Sequence, residues 1–469
     1  MREIFRKAGF FILGIFSLLY VIFSRNFAEI RVQVPFLNFP IFVGEILLFI
    51  CLILSFFVFD FYSIKGWQWG VVFYFVYIIT KALWGYHLWG PLAFRHAALF
   101  YYPIFIFFGF IFYKMAFLTE RVKIFIAFLI LTLCITGYFY SYWTLSLWII
   151  AFILMRSFRH WAIRYFFYFA LFLIVALSFK CIILTSRTFI VGNLTAVIFL
   201  MITLLLIAKI RVFYKAVIAG AILILLVVLI VKYSSVNESG AIFDIKNTIN
   251  LFREADAEIK ARKPYYVPAD LKEIRLFNPE WPIPVTPAAA KKPQVEAPKK
   301  TAVPVEEKMV VTLAATELQA ADAAYGNMLF RLFIWRDMFL EFSLYRPILG
   351  FSFGKPFRSE SLEIMNWALG EWSRDGWIEP HNSYLNILYR TGILGIVLIG
   401  LLIFQFCSIL KDFVLLKSLP GILLCSILII WLATANFLPI LELPYNAIPF
   451  WSLWGVALGY LRELKDKRK

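Results

Sequence analysis

Residues 387–417 read ILYRTGILGIVLIGLLIFQFCSILKDFVLLK. About 20 predominantly apolar residues in a helix cross the hydrocarbon layer of a bilayer. The run from 387 to 409 has that length, and Lys411 and Lys417 close it. Gly392 and Gly395 near its start let a neighbouring helix approach. This stretch predicts a transmembrane helix that ends in a basic gap.

The same pattern recurs outward from it. Further runs lie near 9–25, 39–59, 67–85, 95–114, 122–140, 143–156, 163–180, 188–208 and 213–232, then 419–437 and 446–462. With the first this makes about twelve transmembrane helices, an all-α polytopic membrane protein. The sixth run is short, and Lys81 interrupts the third. Composition agrees. The chain of 469 residues is 62% hydrophobic, too much for one water-soluble core, and its mean hydropathy is +0.81. Its 52 Phe, 15 Trp and 23 Tyr suit lipid-facing helices and interfacial belts.

A net charge of +17 in a soluble protein would raise nucleic acid as a partner. Here the cations sit in short gaps between apolar runs, so they read as orientation signals and not as a nucleic-acid surface. With the N-terminus in the cytoplasm, the inside gaps hold Arg2, Arg6 and Lys7; Lys65; Lys114, Arg121 and Lys123; Arg156, Arg159 and Arg164; Lys209, Arg211 and Lys215; Lys411 and Lys417; and the tail from Arg462 to Lys469. The gap around Glu442 on the other side has no basic residue. This positive-inside pattern predicts a multi-pass inner-membrane protein with both termini cytoplasmic. The first run follows basic residues as a signal peptide does, but no small-residue cleavage site follows Phe23, so it reads as a retained helix.

The organisation predicted is therefore helices one to nine over 1–233, a large, partly helical periplasmic loop over 234–383, and helices ten to twelve with a basic tail over 384–469. Within the loop, residues 280–308 (EWPIPVTPAAAKKPQVEAPKKTAVPVEEK) have a linker composition. Residues 325–383 carry aliphatic and aromatic residues at helical spacing and read as the ordered part. Cys51, Cys134, Cys181, Cys407 and Cys425 form no CxxC, and four lie in apolar runs, so neither a disulfide pair nor a thiolate metal site is expected.

Chemistry-bearing residues concentrate on the periplasmic side. His381 stands in PHNSYLNILYRTGILG at the start of the tenth run, while His87 and His96 flank the fourth and His160 lies in a cytoplasmic gap. Near the membrane surface an imidazole titrates close to neutrality and suits a general base. The plainer reading of the stretch is a helix start capped by Asn382 or Ser383, and helix caps outnumber catalytic bases. Arg187 in LTSRTF and Arg331 in RLFIWRDM read either as interfacial anchors or as a clamp on phosphate, because guanidinium presents a planar fork of donors. Trp367, Trp372 and Trp377 recur every five residues, as sugar-stacking rings or an interfacial belt. Glu45 and Lys81 are intramembrane charges that would pair or mark a path. Glu360, Glu363, Glu371, Asp375 and Glu379 offer carboxylates, but no metal-ligand spacing, Walker loop or GxGxxG is present, so no metal or cofactor is expected.

Three separated pieces together resemble the O-antigen ligase and polysaccharide polymerase family of bacterial inner membranes. They are Ser186-Arg187; Arg331 and Trp335 with Arg346-Pro347-Ile348-Leu349-Gly350 and Gly354; and His381-Asn382 with Leu385, Gly392 and Gly395. The resemblance covers about residues 180–405. It implies a GT-C-like membrane fold and a metal-independent, inverting glycosyltransferase. Its donor would be a glycan on undecaprenyl pyrophosphate, and its acceptor a hydroxyl of lipid A–core, of a growing polysaccharide or of a protein. It implies that Arg187 and Arg331 hold the pyrophosphate and that His381 sits at the acceptor hydroxyl. Asn382, Trp335, Arg346 and Trp377 would then contact substrate. Two features depart from the family: the long insert, and Arg390 just before Thr391-Gly392. A transporter of lipid-linked sugars would instead place its charges at mid-membrane and show repeated halves. An envelope scaffold would use the insert as a docking arm.

Overall fold

The computed structural model describes residues 1–33, 40–59, 66–135, 143–183, 195, 198–199, 245–262, 323–364 and 380–468. The regular secondary structure of the described residues is helical apart from a two-residue antiparallel ladder that pairs Arg31 with Phe42 and Val32 with Ile41. Its α-helices are α1 (Arg2–Ala28), α2 (Val43–Val58), α3 (Gly66–Trp89), α4 (Leu92–Tyr101), α5 (Ile104–Phe112), α6 (Glu120–Ile135), α7 (Thr144–Arg156) and α8 (Trp161–Ile183). They continue with α9 (Ile245–Arg262), α10 (Ala323–Tyr345), α11 (Glu360–Ile364), α12 (Ser383–Thr391), α13 (Ile393–Leu415), α14 (Leu419–Thr434) and α15 (Pro444–Asp466). The ninth expected span, nearly all of the eighth, the insert at 280–308, Arg187 and the three spaced tryptophans lie outside the described residues.

Among the described residues, α1 and α13 are long and apolar enough to cross a membrane. A third candidate is the pair α4 and α5, bent by 45°. The bend falls at Pro103, which lacks an N–H and crowds the preceding turn. Shorter apolar helices, including Val43–Val58 and Leu419–Thr434, pack beside them. This is an all-α protein built of membrane-type helices.

Two expectations from the sequence change. The run 387–409 is two helices, α12 and α13, separated at Gly392, whose φ is +63°. Hydropathy is continuous across that point, but the backbone is not. Second, order in the long loop begins before the insert. α9 carries Leu251, Phe252, Ala255 and Ile259 one helical turn apart and lays them on α10, with Phe252 and Phe333 ring centroids 4.9 Å apart.

Two apolar clusters form. The larger lies among α1–α8 and α12–α15 and fully buries Trp431, Trp451 and Trp454. At its centre Gly109 of α5 faces Gly455 of α15 so closely that a Cβ on either would overlap the other helix's backbone. The smaller cluster joins α9, α10 and α11 to the chain at 351–357 and to Tyr389 of α12. Inside it Lys355 and Glu341 form a 2.6 Å ion pair, both side chains 2% exposed, and Tyr389 Oη bonds to both. Asp337, also buried, accepts from Arg336, Ser359 and Ser361.

Removing one member of a buried pair strands the other charge. Glu341→Ala is therefore expected to cost about 3–5 kcal/mol of stability. Glu341→Leu combined with Lys355→Met should recover most of it, as read by thermal unfolding of the detergent-purified protein.

The intramembrane charges Glu45 and Lys81 do not pair with each other. Glu45 Oε1 accepts from Tyr101 Oη at 2.5 Å and Tyr102 Oη at 3.4 Å. Lys81 Nζ donates to the Leu349 carbonyl at 2.7 Å and to the Arg390 carbonyl. Each charge meets an oxygen partner that is far off in sequence and invisible to hydropathy.

Candidate active site

Helix α10 sets the site. Arg331 and Trp335 are four residues apart, so they share a face one turn apart. Both reach the connection between α14 and α15. Arg331 Nη1 donates to the Phe437 carbonyl at 3.0 Å, and the Trp335 ring lies 6.4 Å from that of Phe437. Trp335 Nε1 also donates to the Pro380 carbonyl at 2.6 Å, which pins the residue directly before His381.

His381 is held from both sides. Its own backbone is strained, with φ +49°, a region that side-chain-bearing residues seldom occupy. After it, Asn382 Oδ1 accepts from Leu385 N at 2.9 Å and caps α12, so the helix-start reading of Asn382 holds. Ser383 then ties α12 to the α14–α15 connection. Its N–H donates to the Ala435 carbonyl at 2.9 Å and its Oγ to the Leu438 carbonyl at 3.2 Å, while Leu441 N donates back to that Oγ at 3.2 Å. Tyr384 Oη donates to the Leu432 carbonyl at 2.8 Å. The imidazole thus sits where α10, the start of α12 and the α14–α15 connection converge.

The electrostatics follow from that placement. Burial, then the Arg331 guanidinium, push the His381 pKa down to about 4. At neutral pH the ring is uncharged and open to a proton. Its Nδ1 is buried and hydrogen-bonds to no described residue. A neutral imidazole can accept a proton, and a guanidinium near it can pair with an anion.

Among the sequence-predicted residues, the structure brings Arg331, Trp335, His381 and Asn382 together. Arg346 is elsewhere. It follows the last residue of α10, fifteen positions past Arg331, or about 22 Å along the helix axis. There it begins a strap, residues 346–354, that locks onto α12 and α13. Ile393 N donates to the Pro347 carbonyl at 2.9 Å, and Phe351 N to the Tyr389 carbonyl at 2.8 Å. Gly350 (φ +64°) and Gly392 (φ +63°) meet backbone to backbone, with no room for a Cβ at either. Beyond them Gly354 N donates to His96 Nδ1 at 2.9 Å, and Trp89 Nε1 to Ser352 Oγ at 2.9 Å, which docks the strap on α3 and α4. Arg390, the departure from the family pattern, is buried, donates to the Ser352 carbonyl at 2.9 Å and stacks on Tyr389. It braces the strap. Arg187 and Trp377 lie outside the described residues.

The sequence did not point to Phe437 or to the 435–443 connection, which meets Arg331 and Ser383 through the carbonyls of Phe437, Ala435 and Leu438. Nor did it point to Glu341 and Lys355, which no motif singles out.

Apolar helices with a cation and an imidazole held at their junction are the arrangement that the described residues present. In the comparison with protein families, residues 172–400 match the family model described as O-antigen ligase. That bears out the O-antigen ligase family read from the sequence, and the matched region contains α10, the strap and His381. Comparison with curated proteins and with solved structures gives no match.

Proposed function

We propose that this protein is a multi-pass inner-membrane glycosyltransferase that moves a glycan from undecaprenyl pyrophosphate to an acceptor hydroxyl on the periplasmic face. Both termini lie in the cytoplasm, about twelve helices cross the bilayer, and residues 234–383 form the periplasmic loop with its Pro/Ala/Lys-rich insert at 280–308. The observation that carries the reading is the convergence of Arg331, Trp335 and His381 on one junction, inside a region that matches the O-antigen ligase family.

The chemistry needs little more than these groups. The acceptor O–H attacks the anomeric carbon, and the bond from that carbon to the phosphate oxygen breaks. The pyrophosphate leaves with the electron pair. Arg331, with Arg187, offsets the charge that develops on it. The acceptor proton passes to the imidazole of His381. Trp335, Asn382 and Trp377 position substrate, and Arg346 contacts the donor or the lipid around it. Attack opposite the leaving group inverts the anomeric centre. The acceptor is lipid A–core or a growing polysaccharide; a protein hydroxyl would react by the same steps.

Arg331→Lys and Arg187→Lys test the clamp, because a point charge does not replace a fork of donors. Each is expected to lower transfer by about 10²–10³-fold, the usual loss for one transition-state donor, with the protein still inserted. The measurement is product formed from a purified lipid-linked glycan. Deleting 282–306 should leave transfer largely intact in the same assay, since the insert has a linker's composition.

A further inference from the structure

We propose that the last turns of α10 and the first residues of the strap form a shallow lipid anchor that rests this arm in the outer leaflet. The inference builds on the topology proposed above.

The starting observation is where apolar side chains are left uncovered. On its buried side α10 carries Phe333, Ile334, Asp337, Met338, Glu341 and Phe342. The arc left over in its last two turns should be polar if it faced water. It instead carries Phe339 and Leu344, both exposed, and continues into Ile348 and Leu349 of the strap, 66% and 55% exposed. Four large apolar side chains within eleven residues are more than a surface scatter.

The neighbouring α9 supplies the contrast. It packs on α10, and its uncovered face presents Arg253, Glu254 and Lys260 beyond a single exposed Ile249 near its start. The two helices belong to one cluster, but one turns charge outward and the other turns hydrocarbon outward.

Continuity identifies the occupant. Ile393 N donates to the Ile348 carbonyl at 3.1 Å, so the strap abuts the first residue of α13. α13 is a span by length, and Ile393, Leu394, Ile396 and Val397 on its first turn are exposed. On the other side Lys81 of α3 holds the Leu349 carbonyl, next to exposed Leu83 and Trp84. The apolar patch on the arm is therefore an extension of the lipid-facing surface of two apolar helices, and the partner whose chemistry fits is the acyl region just beneath the headgroups. Tyr345 and Arg346, half-buried between Leu344 and Ile348, are residue types that sit at headgroup level. Anchored there, α10 carries Arg331 at a fixed height over the leaflet that holds the donor.

The test is depth. Leu349→Cys, and Glu254→Cys on the charged face of α9 as reference, are made in a full-length chain with its five cysteines replaced by serine. Each is labelled with an environment-sensitive fluorophore and placed in nanodiscs of phosphatidylethanolamine and phosphatidylglycerol, with or without lipids carrying a quencher at a shallow acyl position. The expected result is quenching at 349 roughly twofold or more above that at 254, with blue-shifted emission. Equal quenching at both positions would overturn the anchor. A photoreactive residue at 349 in the chain with its native cysteines gives the second reading: cross-links to lipid support the anchor, and their absence overturns it. Neither readout needs turnover, so loss of the anchor and loss of the glycan-transfer reading are told apart.

Discussion

His381→Ala is expected to lower glycan transfer by about 10²–10⁴-fold, the usual contribution of a positioned general base, while the protein still inserts and binds donor. The reasoning runs through the site's electrostatics. Burial, with the Arg331 guanidinium adding to it, holds the free imidazole at a pKa of about 4. The acid limb of kcat/KM, which reports the free enzyme, should then fall near pH 4 and not near the ordinary histidine value of 6.5. Donor binding brings a pyrophosphate beside the same ring. An anion favours imidazolium, so the acid limb of kcat should lie higher than that of kcat/KM. Coincident limbs at 6.5 would contradict the role given to Arg331.

The same shift has a sign for stability. Between pH 4 and 6.5 the unfolded chain holds a proton on this histidine that the folded chain does not, so its contribution rises with pH across that window. It is complete above about 6.5 and lost as the pH falls toward 4. His381→Gln should flatten that part of the unfolding profile.

The second large effect is structural. Gly392→Val should prevent stable folding, with a cost above about 4 kcal/mol. Gly392 has φ +63°, a conformation that β-branched residues avoid, and a Cβ there would meet the Ile348 carbonyl and the Gly350 nitrogen. The clash opens the lock between the strap and the junction of α12 and α13, and that junction ends the short helix that begins beside His381. Gly400, eight residues further along α13, has open space around it. Gly400→Ala should leave stability unchanged or raise it by up to about 1 kcal/mol, through helix propensity. Yield and unfolding temperature of the purified protein decide both. Equal behaviour of the two variants would show that the lock carries no weight.

How much of this was legible in the sequence depends on the kind of signal. Apolar runs long enough to span revealed the helical class at once, because hydropathy is additive along a window. Arg331, Trp335 and His381 were legible as an ordered set of motifs, and α10 and the start of α12 bring them together. The break at Gly392 was not legible: hydropathy runs straight through it, and only a positive φ beside a second glycine ends the helix. Phe437 was hidden for another reason. It acts through its carbonyl, 106 residues from Arg331, and carbonyls carry no sequence identity. The buried Glu341–Lys355 pair and the separate partners of Glu45 and Lys81 were hidden because charge in a sequence says nothing of its partner. Arg346 shows the limit of motif reasoning. It belongs to the matched pattern, yet the length of α10 carries it away from His381.

The central claim is that Arg331 and His381 act on a lipid pyrophosphate. The most direct measurement is turnover in proteoliposomes that hold the purified protein and a glycan on undecaprenyl pyrophosphate, with an acceptor supplied. Each new glycosidic bond should release one undecaprenyl pyrophosphate, and Arg331→Ala and His381→Ala should stop both together. Transfer by either variant at the wild-type rate, or wild-type protein that joins glycan to acceptor without releasing the carrier, would contradict the account.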